Sequence, residues 1–322
     1  MIWNVIAVLA GFILLMWGAD RFVAGAACAA RLLGVSTLII GLTIVGFGTS
    51  APEILVSAMA SIAGNPGLAM GNAIGSNITN IALILGFTAV VTPLTVRSET
   101  LRRELPLLMA IMLVSVGLLA DRELDRIDGI LLLLALVGFL VWLVRLGMAS
   151  KKTDPMIAEF QEEIPRDMSM GKAIFWLVAG LVVLLASSRL LVWGAVNIAE
   201  GFGVSDLIIG LTIVAIGTSL PELAASVVAA RKGEHDIAIG NVLGSNIFNL
   251  LAVMGLPGVI MPGSFEPEVL SRDFPVMIFL TLLFFGLAYG IGGVGRITRP
   301  AGAVLLACFA GYQLILYFGI LA

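Results

Sequence analysis

The sequence predicts an all-α polytopic membrane protein: ten transmembrane helices arranged as two inverted five-helix repeats. Three observations carry that expectation. The 322 residues are 60% hydrophobic and only 12% charged, with a mean hydropathy of +1.10, far from the composition of a soluble domain. Apolar runs of about 20 residues recur along the whole length, each enough to cross a hydrocarbon layer of ~30 Å. A polar motif occurs twice, as Gly48-Thr49-Ser50-Ala51-Pro52-Glu53 and, 169 residues later, as Gly217-Thr218-Ser219-Leu220-Pro221-Glu222. A β-barrel would need alternating strands of about 10 residues, and that pattern is missing.

Taken in order, the expected spans are Ile2–Ala30, Ser36–Ala63, Leu68–Val91, Leu105–Ala120, Ile127–Gly147, Lys172–Ala199, Asp206–Ala230, Ile237–Met261, Phe274–Ile291 and Pro300–Leu321. The N-terminal run lacks a basic leader and continues past Arg31 without a cleavage signal, so it reads as the first span. Ser150–Met170 is the longest polar segment, and it is too short to hold a folded regulatory domain. Residues 1–149 then form the first five-span half, 150–170 a cytoplasmic linker and 171–322 the second half, all within one membrane domain. Cys28 and Cys308 lie in apolar runs and read as structural thiols. The lone His235 sits in a short charged stretch and reads as a solvated loop residue.

Orientation follows from Lys and Arg. With the N-terminus outside, thirteen basic residues face inward: Arg31, Arg97, Arg102, Arg103, Arg145, Lys151, Lys152, Arg166, Lys172, Arg231, Lys232, Arg296 and Arg299. Only Arg122, Arg126 and Arg272 face outward, with Arg21 and Arg189 inside spans. The positive-inside rule then places both termini outside.

The duplication extends beyond the opening motif. From Gly34 to Glu53, sixteen of twenty positions are identical to Gly203–Glu222. Gly71-Asn72-Ala73-Ile74-Gly75-Ser76-Asn77-Ile78-Thr79-Asn80 is matched by Gly240-Asn241-Val242-Leu243-Gly244-Ser245-Asn246-Ile247-Phe248-Asn249 at the same offset. Apolar helices resemble one another by chance; shared Thr, Ser, Pro, Glu and Asn at one fixed offset do not. Five spans per half is an odd number, so the second half is expected upside down relative to the first. Inverted repeats are a transporter architecture with the site near the midplane.

The motif residues fit a hard cation. Pro52 and Pro221 cannot donate to the carbonyls of Gly48 and Gly217, which frees backbone oxygens around Gly46–Thr49 and Ala215–Thr218. Glu53 and Glu222 are the only acids placed centrally in a span; Asp20 lies beside Arg21, which can pair with it. An unpaired carboxylate at that depth costs about 3 kcal/mol or more and marks a functional site. Two carboxylates balance one divalent ion. Together with the Thr49 and Thr218 carbonyls, and with Asn80 and Asn249 nearby, they offer the mixed oxygen set that calcium accepts. The absence of His and Cys from the motifs disfavours zinc, copper and nickel against calcium, sodium, manganese or magnesium. Ser50, Ser76, Ser219 and Ser245 are neutral hydroxyls suited to sodium. A span serine taken singly is usually a packing residue, but clustering around mirrored glutamates reverses that reading. Asn72, Asn77, Asn241 and Asn246 fit the tethering of helix ends as well as ligation. The glycine-rich runs lack the Lys and strand context of a phosphate loop.

At these residues the chain resembles the calcium/cation antiporter superfamily, in its bacterial sodium/calcium exchanger branch. The resemblance covers the entire chain, and the paired motifs match the two α-repeats of that family. It implies four ion sites in a diamond. Calcium would take Glu53, Glu222 and the backbone of Thr49 and Thr218. One sodium site would use the Ala215 carbonyl, Thr218, Ser219, Glu222 and Ser245; its mirror would use the Gly46 carbonyl, Thr49, Ser50, Glu53 and Ser76. Asn80 and Asn249 would bound the middle site. The resemblance also implies that the first and sixth spans slide past a core of the second, third, seventh and eighth. One departure stands out. Exchangers of the sodium-coupled pattern often have an aspartate where this chain has Asn249, whereas proton-coupled members are similar to this chain in having two central glutamates without it.

The expected function is therefore secondary active antiport of calcium against sodium by alternating access, with proton coupling as the alternative. A cation channel is a poorer fit, because channels commonly build filters from rings of subunits. An intramembrane hydrolase lacks a span histidine or a Ser/Lys dyad, so no enzymatic activity is expected. The expected partners are the lipid bilayer and the transported ions; nothing calls for a cofactor, a nucleic acid or an obligate protein partner, and a monomer suffices.

Overall fold

In lipid every backbone N–H and C=O must be satisfied within the protein, so a chain this apolar has to fold as helices or a closed barrel. The computed structural model describes residues 1–35, 40, 46–96, 99–149, 168–289 and 295–321, and it is helical almost throughout. The helices are α1 (Ile2–Leu32), α2 (Gly46–Thr49), α3 (Ala51–Ile62), α4 (Pro66–Val91), α5 (Glu99–Leu118), α6 (Arg126–Ala149), α7 (Met170–Phe202), α8 (Asp206–Thr218), α9 (Leu220–Lys232), α10 (His235–Ile260), α11 (Val269–Asp273 continued by Phe274–Tyr289) and α12 (Arg299–Leu321).

Among the described residues, α1, α4, α6, α7, α10, α11 and α12 are long and apolar enough to cross a bilayer, and α8 with α9, bent by 41° at the break between them, is so only when the pair is taken together. The remaining two expected spans are Ser36–Ala63, whose described part is residue 40 with α2 and α3, and Leu105–Ala120, which lies largely in α5. The expected linker falls almost wholly outside the described residues, as do residues 36–39 and 41–45 of the repeat. His235 corrects a reading of the sequence: it opens α10 and is half-buried, because the charged stretch around it is the start of a helix and not a free loop.

Burial separates a centre from a periphery. The apolar windows of α4 and α10 are 78% and 83% buried, against 33% for α1 and 28% for α7. The larger apolar core joins α4 and α10 to α5, α6, α11 and α12 through Ile74, Ile81, Met112, Leu132, Phe248 and Phe284. A second core joins α1 and α7 to α3 and α8 through Phe12, Leu15, Val56, Leu184, Leu191 and Val214.

Small residues let the helices approach closely. In α1, Gly11, Gly18 and Gly25 recur every seven residues and face α7 in antiparallel order. A Cβ at Gly11 would lie 2.9 Å from Leu191 Cβ, and one at Gly25 would lie 2.6 Å from the Ala173 carbonyl. Helix pairs in lipid gain from such contact because no hydrophobic drive favours them over lipid. Gly71 of α4 and Gly210 of α8 meet in the same manner, with a Cβ on either one 2.9 Å from the other's Cα. That contact gives the glycine-rich run a packing role.

The duplication is visible in the backbone. The glycines with positive φ are Gly34 (86°), Gly64 (91°), Gly203 (65°) and Gly233 (88°). They form two pairs at the repeat offset, each just past a helix end, where only glycine adopts the left-handed conformation without strain. Two short antiparallel sheets tie the halves together. One pairs β1 (Leu94–Val96) with β4 (Gly295–Ile297), with Thr95 opposite Arg296; the other pairs β2 (Glu123–Leu124) with β3 (Gly263–Ser264). Residues 94–96 map onto 263–265 at that offset, so each half lends its equivalent loop to a different sheet.

Gly180 of α7 tests the packing. A Cβ there would lie 2.5 Å from the Phe22 backbone nitrogen of α1. Gly180→Val is expected to destabilise the protein by about 1–3 kcal/mol, the scale of an overpacked contact, read as a lower melting midpoint in detergent. An unchanged midpoint contradicts the close approach of α1 and α7.

Candidate cation site

Both repeats break a helix at the same place. In the first, α2 ends at Thr49, Ser50 forms the joint and α3 begins at Ala51 with Pro52 in its first turn. In the second, α8 ends at Thr218, Ser219 forms the joint and α9 begins at Leu220 with Pro221 in its first turn. Proline is harmless in a first turn, where its missing N–H has no helical partner, but it cannot continue the preceding ladder. Glu53 and Glu222 therefore fall in the first turns of α3 and α9, where the exposed N–H groups and helix dipole favour negative charge.

The two breaks face each other across the bundle centre and are joined by side chains. Glu53, Glu222, Ser50, Ser76, Ser245, Asn80 and Asn249 are fully buried, and Thr218 and Ser219 nearly so. The Ser219 hydroxyl donates to Glu53 Oε1 at 3.3 Å, and the Ser245 hydroxyl donates to Glu222 Oε1 at 3.2 Å. Ser50 donates to Ser245 Oγ at 3.0 Å, and Asn80 Nδ2 donates to the same oxygen at 3.1 Å. Ser76 reaches Asn72 Oδ1 at 3.5 Å. Gly46 opens α2 one turn before the first break. Its counterpart Ala215 accepts a backbone bond from Ser219 at 3.2 Å.

Four buried oxygens in this cluster have no hydrogen-bond partner among the described residues: Glu53 Oε2, Glu222 Oε2, Asn80 Oδ1 and Asn249 Oδ1. Two come from each half, at equivalent repeat positions. Among the described residues neither carboxylate has an ion pair, and the salt bridges Arg21–Asp20 and Arg272–Asp273 lie elsewhere. Buried polar atoms normally find partners, so a mirrored set of orphaned oxygens, half of them carboxylate, has the chemistry of a hard-cation cage.

Three features escaped the sequence reading. Asn80 and Asn249 both lie in π-helical turns, Asn80 in Thr79–Leu85 and Asn249 in Asn249–Val253; such turns appear frequently at functional sites. Threonine hydroxyls also cross between the halves, Thr49 to Asn241 Oδ1 at 3.1 Å and Thr218 to Asn72 Oδ1 at 3.2 Å, while Asn72 Nδ2 donates to the Glu53 carbonyl at 3.1 Å. Asn72 and Asn241 are thus tethers of the breaks. Away from the cage, buried Asp273 accepts from Arg272 at 2.7 Å and from Tyr312 Oη at 2.9 Å. A repeat signal for that cluster exists: Leu101-Arg102-Arg103-Glu104-Leu105-Pro106 matches Leu270-Ser271-Arg272-Asp273-Phe274-Pro275 at the same offset.

A helical membrane bundle with two uncompensated carboxylates and mirrored oxygens at its centre is an ion transporter. Its family is equally plain: the chain belongs to the sodium/calcium exchanger proteins, whose profile matches residues 3–145 and 172–318. It is 51% identical to the CaxA protein of Alkalimonas amylolytica over 312 residues, covering 97% of this chain and 98% of that one. It is 44% identical to the inner membrane protein YrbG of Escherichia coli over 310 residues, covering 96% and 95%. A solved structure of the sodium-calcium exchanger NCX_Mj superposes with a TM-score of 0.66 at 34% identity, covering 96% of this chain and 97% of that one.

Uncompensated carboxylates in a dry core destabilise the protein when no cation is bound. Glu53→Gln and Glu222→Gln are each expected to raise the melting midpoint in divalent- and sodium-free buffer at alkaline pH, and to shrink the further rise on adding calcium. A lower midpoint for both variants, with the calcium response intact, contradicts the cage.

Proposed function

We propose that this chain is a secondary active antiporter that exchanges calcium for sodium by alternating access. In this reading it has ten spans in two inverted halves, residues 1–149 and 171–322, joined by a cytoplasmic linker at 150–170. Both termini lie outside a bacterial inner membrane, which the distribution of Lys and Arg favours. The observation that carries the reading is the mirrored set of orphaned oxygens on Glu53, Glu222, Asn80 and Asn249. Calcium takes the two carboxylates with the carbonyls of Thr49 and Thr218. Sodium takes flanking sites at Ser50, Ser76 and the Gly46 carbonyl in one half, and at Ser219, Ser245 and the Ala215 carbonyl in the other. Asn80 and Asn249 border the middle position.

The moving part is the α1–α7 pair. Its glycine-lined contact favours motion as a unit against the core around α4 and α10. From α1, Val23 packs over Gly48 and Phe12 over Gly217, so this helix touches both breaks. Loading the cage neutralises its charge and lets the pair slide; two bare carboxylates resist the crossing.

Asn249 supports a second reading. With two carboxylates in the cage, one calcium is balanced by two protons as simply as by sodium ions. Calcium uptake into inverted membrane vesicles, driven in parallel by an imposed sodium gradient or an imposed pH gradient, separates the two. Sodium-driven uptake is expected, and Glu53→Gln is expected to abolish it. Uptake driven by the pH gradient alone selects proton coupling. Uptake with neither gradient, unaffected by Glu53→Gln, refutes both.

A further inference from the structure

We infer that Asn77 and Asn246 are positioning residues that fix which end of the Asn249 and Asn80 amides faces the transported ion. This inference rests on the cage described above and adds to it two residues that touch no ion.

A carboxamide has two unlike ends. Its oxygen coordinates a cation, its NH2 group repels one, and the terminal torsion that exchanges them is broad and roughly two-fold. An asparagine therefore serves as a cation ligand only if something holds its nitrogen away from the ion. Asn249 Nδ2 donates to Asn77 Oδ1 at 3.4 Å. Asn80 Nδ2 donates to Asn246 Oδ1 at 3.0 Å and to Ser245 Oγ at 3.1 Å. With the nitrogens tied, Asn80 Oδ1 and Asn249 Oδ1 are left without partners among the described residues, as are the holders' own amide nitrogens, Asn77 Nδ2 and Asn246 Nδ2. All four asparagines are fully buried.

The arrangement crosses between the halves. Asn77 of the first half holds Asn249 of the second, and Asn246 of the second holds Asn80 of the first. With Asn77 unturned, a flipped Asn249 would set its own oxygen against Asn77 Oδ1 and turn its NH2 toward the cation. The consequence is specific to an amide at this position. An aspartate has two equivalent oxygens and no wrong end, so it has no need of a holder. The two pairs also differ in redundancy: Asn80 has a second acceptor in Ser245, while Asn249 has the single, longer bond to Asn77.

The test is a double-mutant cycle read by calcium binding, taken as the calcium concentration that gives half the maximal rise in melting temperature of the purified full-length protein. Asn77→Ala is expected to raise that concentration about tenfold or more, the scale of losing a partner that orients a metal ligand. In an Asn249→Asp background the same change is expected to have less than about a twofold effect, because the orienting role is gone. Asn246→Ala is expected to cost less than Asn77→Ala, since Ser245 still holds Asn80. Equal fold-losses in both backgrounds, or no loss in either, overturn the inference. If Asn77→Ala does not fold, Asn246→Ala measured with and without Asn80→Asp decides by the same criterion. A calcium response that survives Glu53→Gln and Glu222→Gln overturns the cage itself, a different result from an additive cycle with the glutamates essential.

Discussion

Two carboxylates that cannot be left alone govern this molecule. Glu53 and Glu222 are fully buried near the centre of the bundle with one oxygen each unpartnered among the described residues. In water such a pair would be solvated, and in a soluble core it would usually meet an arginine. In the proposed mechanism the charge is held ready for a mobile ion. The helix breaks, first-turn prolines, buried serines and cross-half asparagines all keep two like charges together in a medium that penalises each of them. Function and instability have the same origin, as is common where a site must stay reactive.

The glycines answer a separate demand. A transporter has to change contacts without exposing backbone to lipid, and smooth helix surfaces allow that. The α1–α7 pair is antiparallel and glycine-lined with little of its surface buried, while α4 and α10 are enclosed on nearly all sides. Glycine-to-glycine contact between α4 and α8 lets the first half press directly on the broken helix of the second. The two small sheets add fixed ties between the halves at the loops, away from the central breaks.

Much of this was legible in the sequence, because polar residues are conspicuous in an apolar chain. Glu53, Ser50 and Asn80 with their partners 169 residues later announced a duplicated site, and Pro52 and Pro221 announced the breaks. What remained hidden depends on geometry. No propensity marks the π-turns at Asn80 and Asn249. The sequence alone left Asn72, Asn77, Asn241 and Asn246 between tethering and ligation. Each makes a hydrogen bond to the opposite half, a relation that spacing along one chain does not reveal. The Arg272–Asp273–Tyr312 cluster was readable as a repeated Arg-acid-x-Pro signature but lay outside the motifs around the glutamates. His235 misled because a charged run at the start of a helix looks like a loop until the helix is seen.

The central claim is that one calcium ion is held between the two helix breaks. The most direct measurement is an experimental structure of the purified protein in calcium, with anomalous scattering to identify the ion. The account predicts a single strong peak at about 2.3–2.6 Å from carboxylate oxygens of both Glu53 and Glu222 and from the carbonyls of Thr49 and Thr218. A peak bound by one glutamate alone, or density placed away from both breaks, contradicts it.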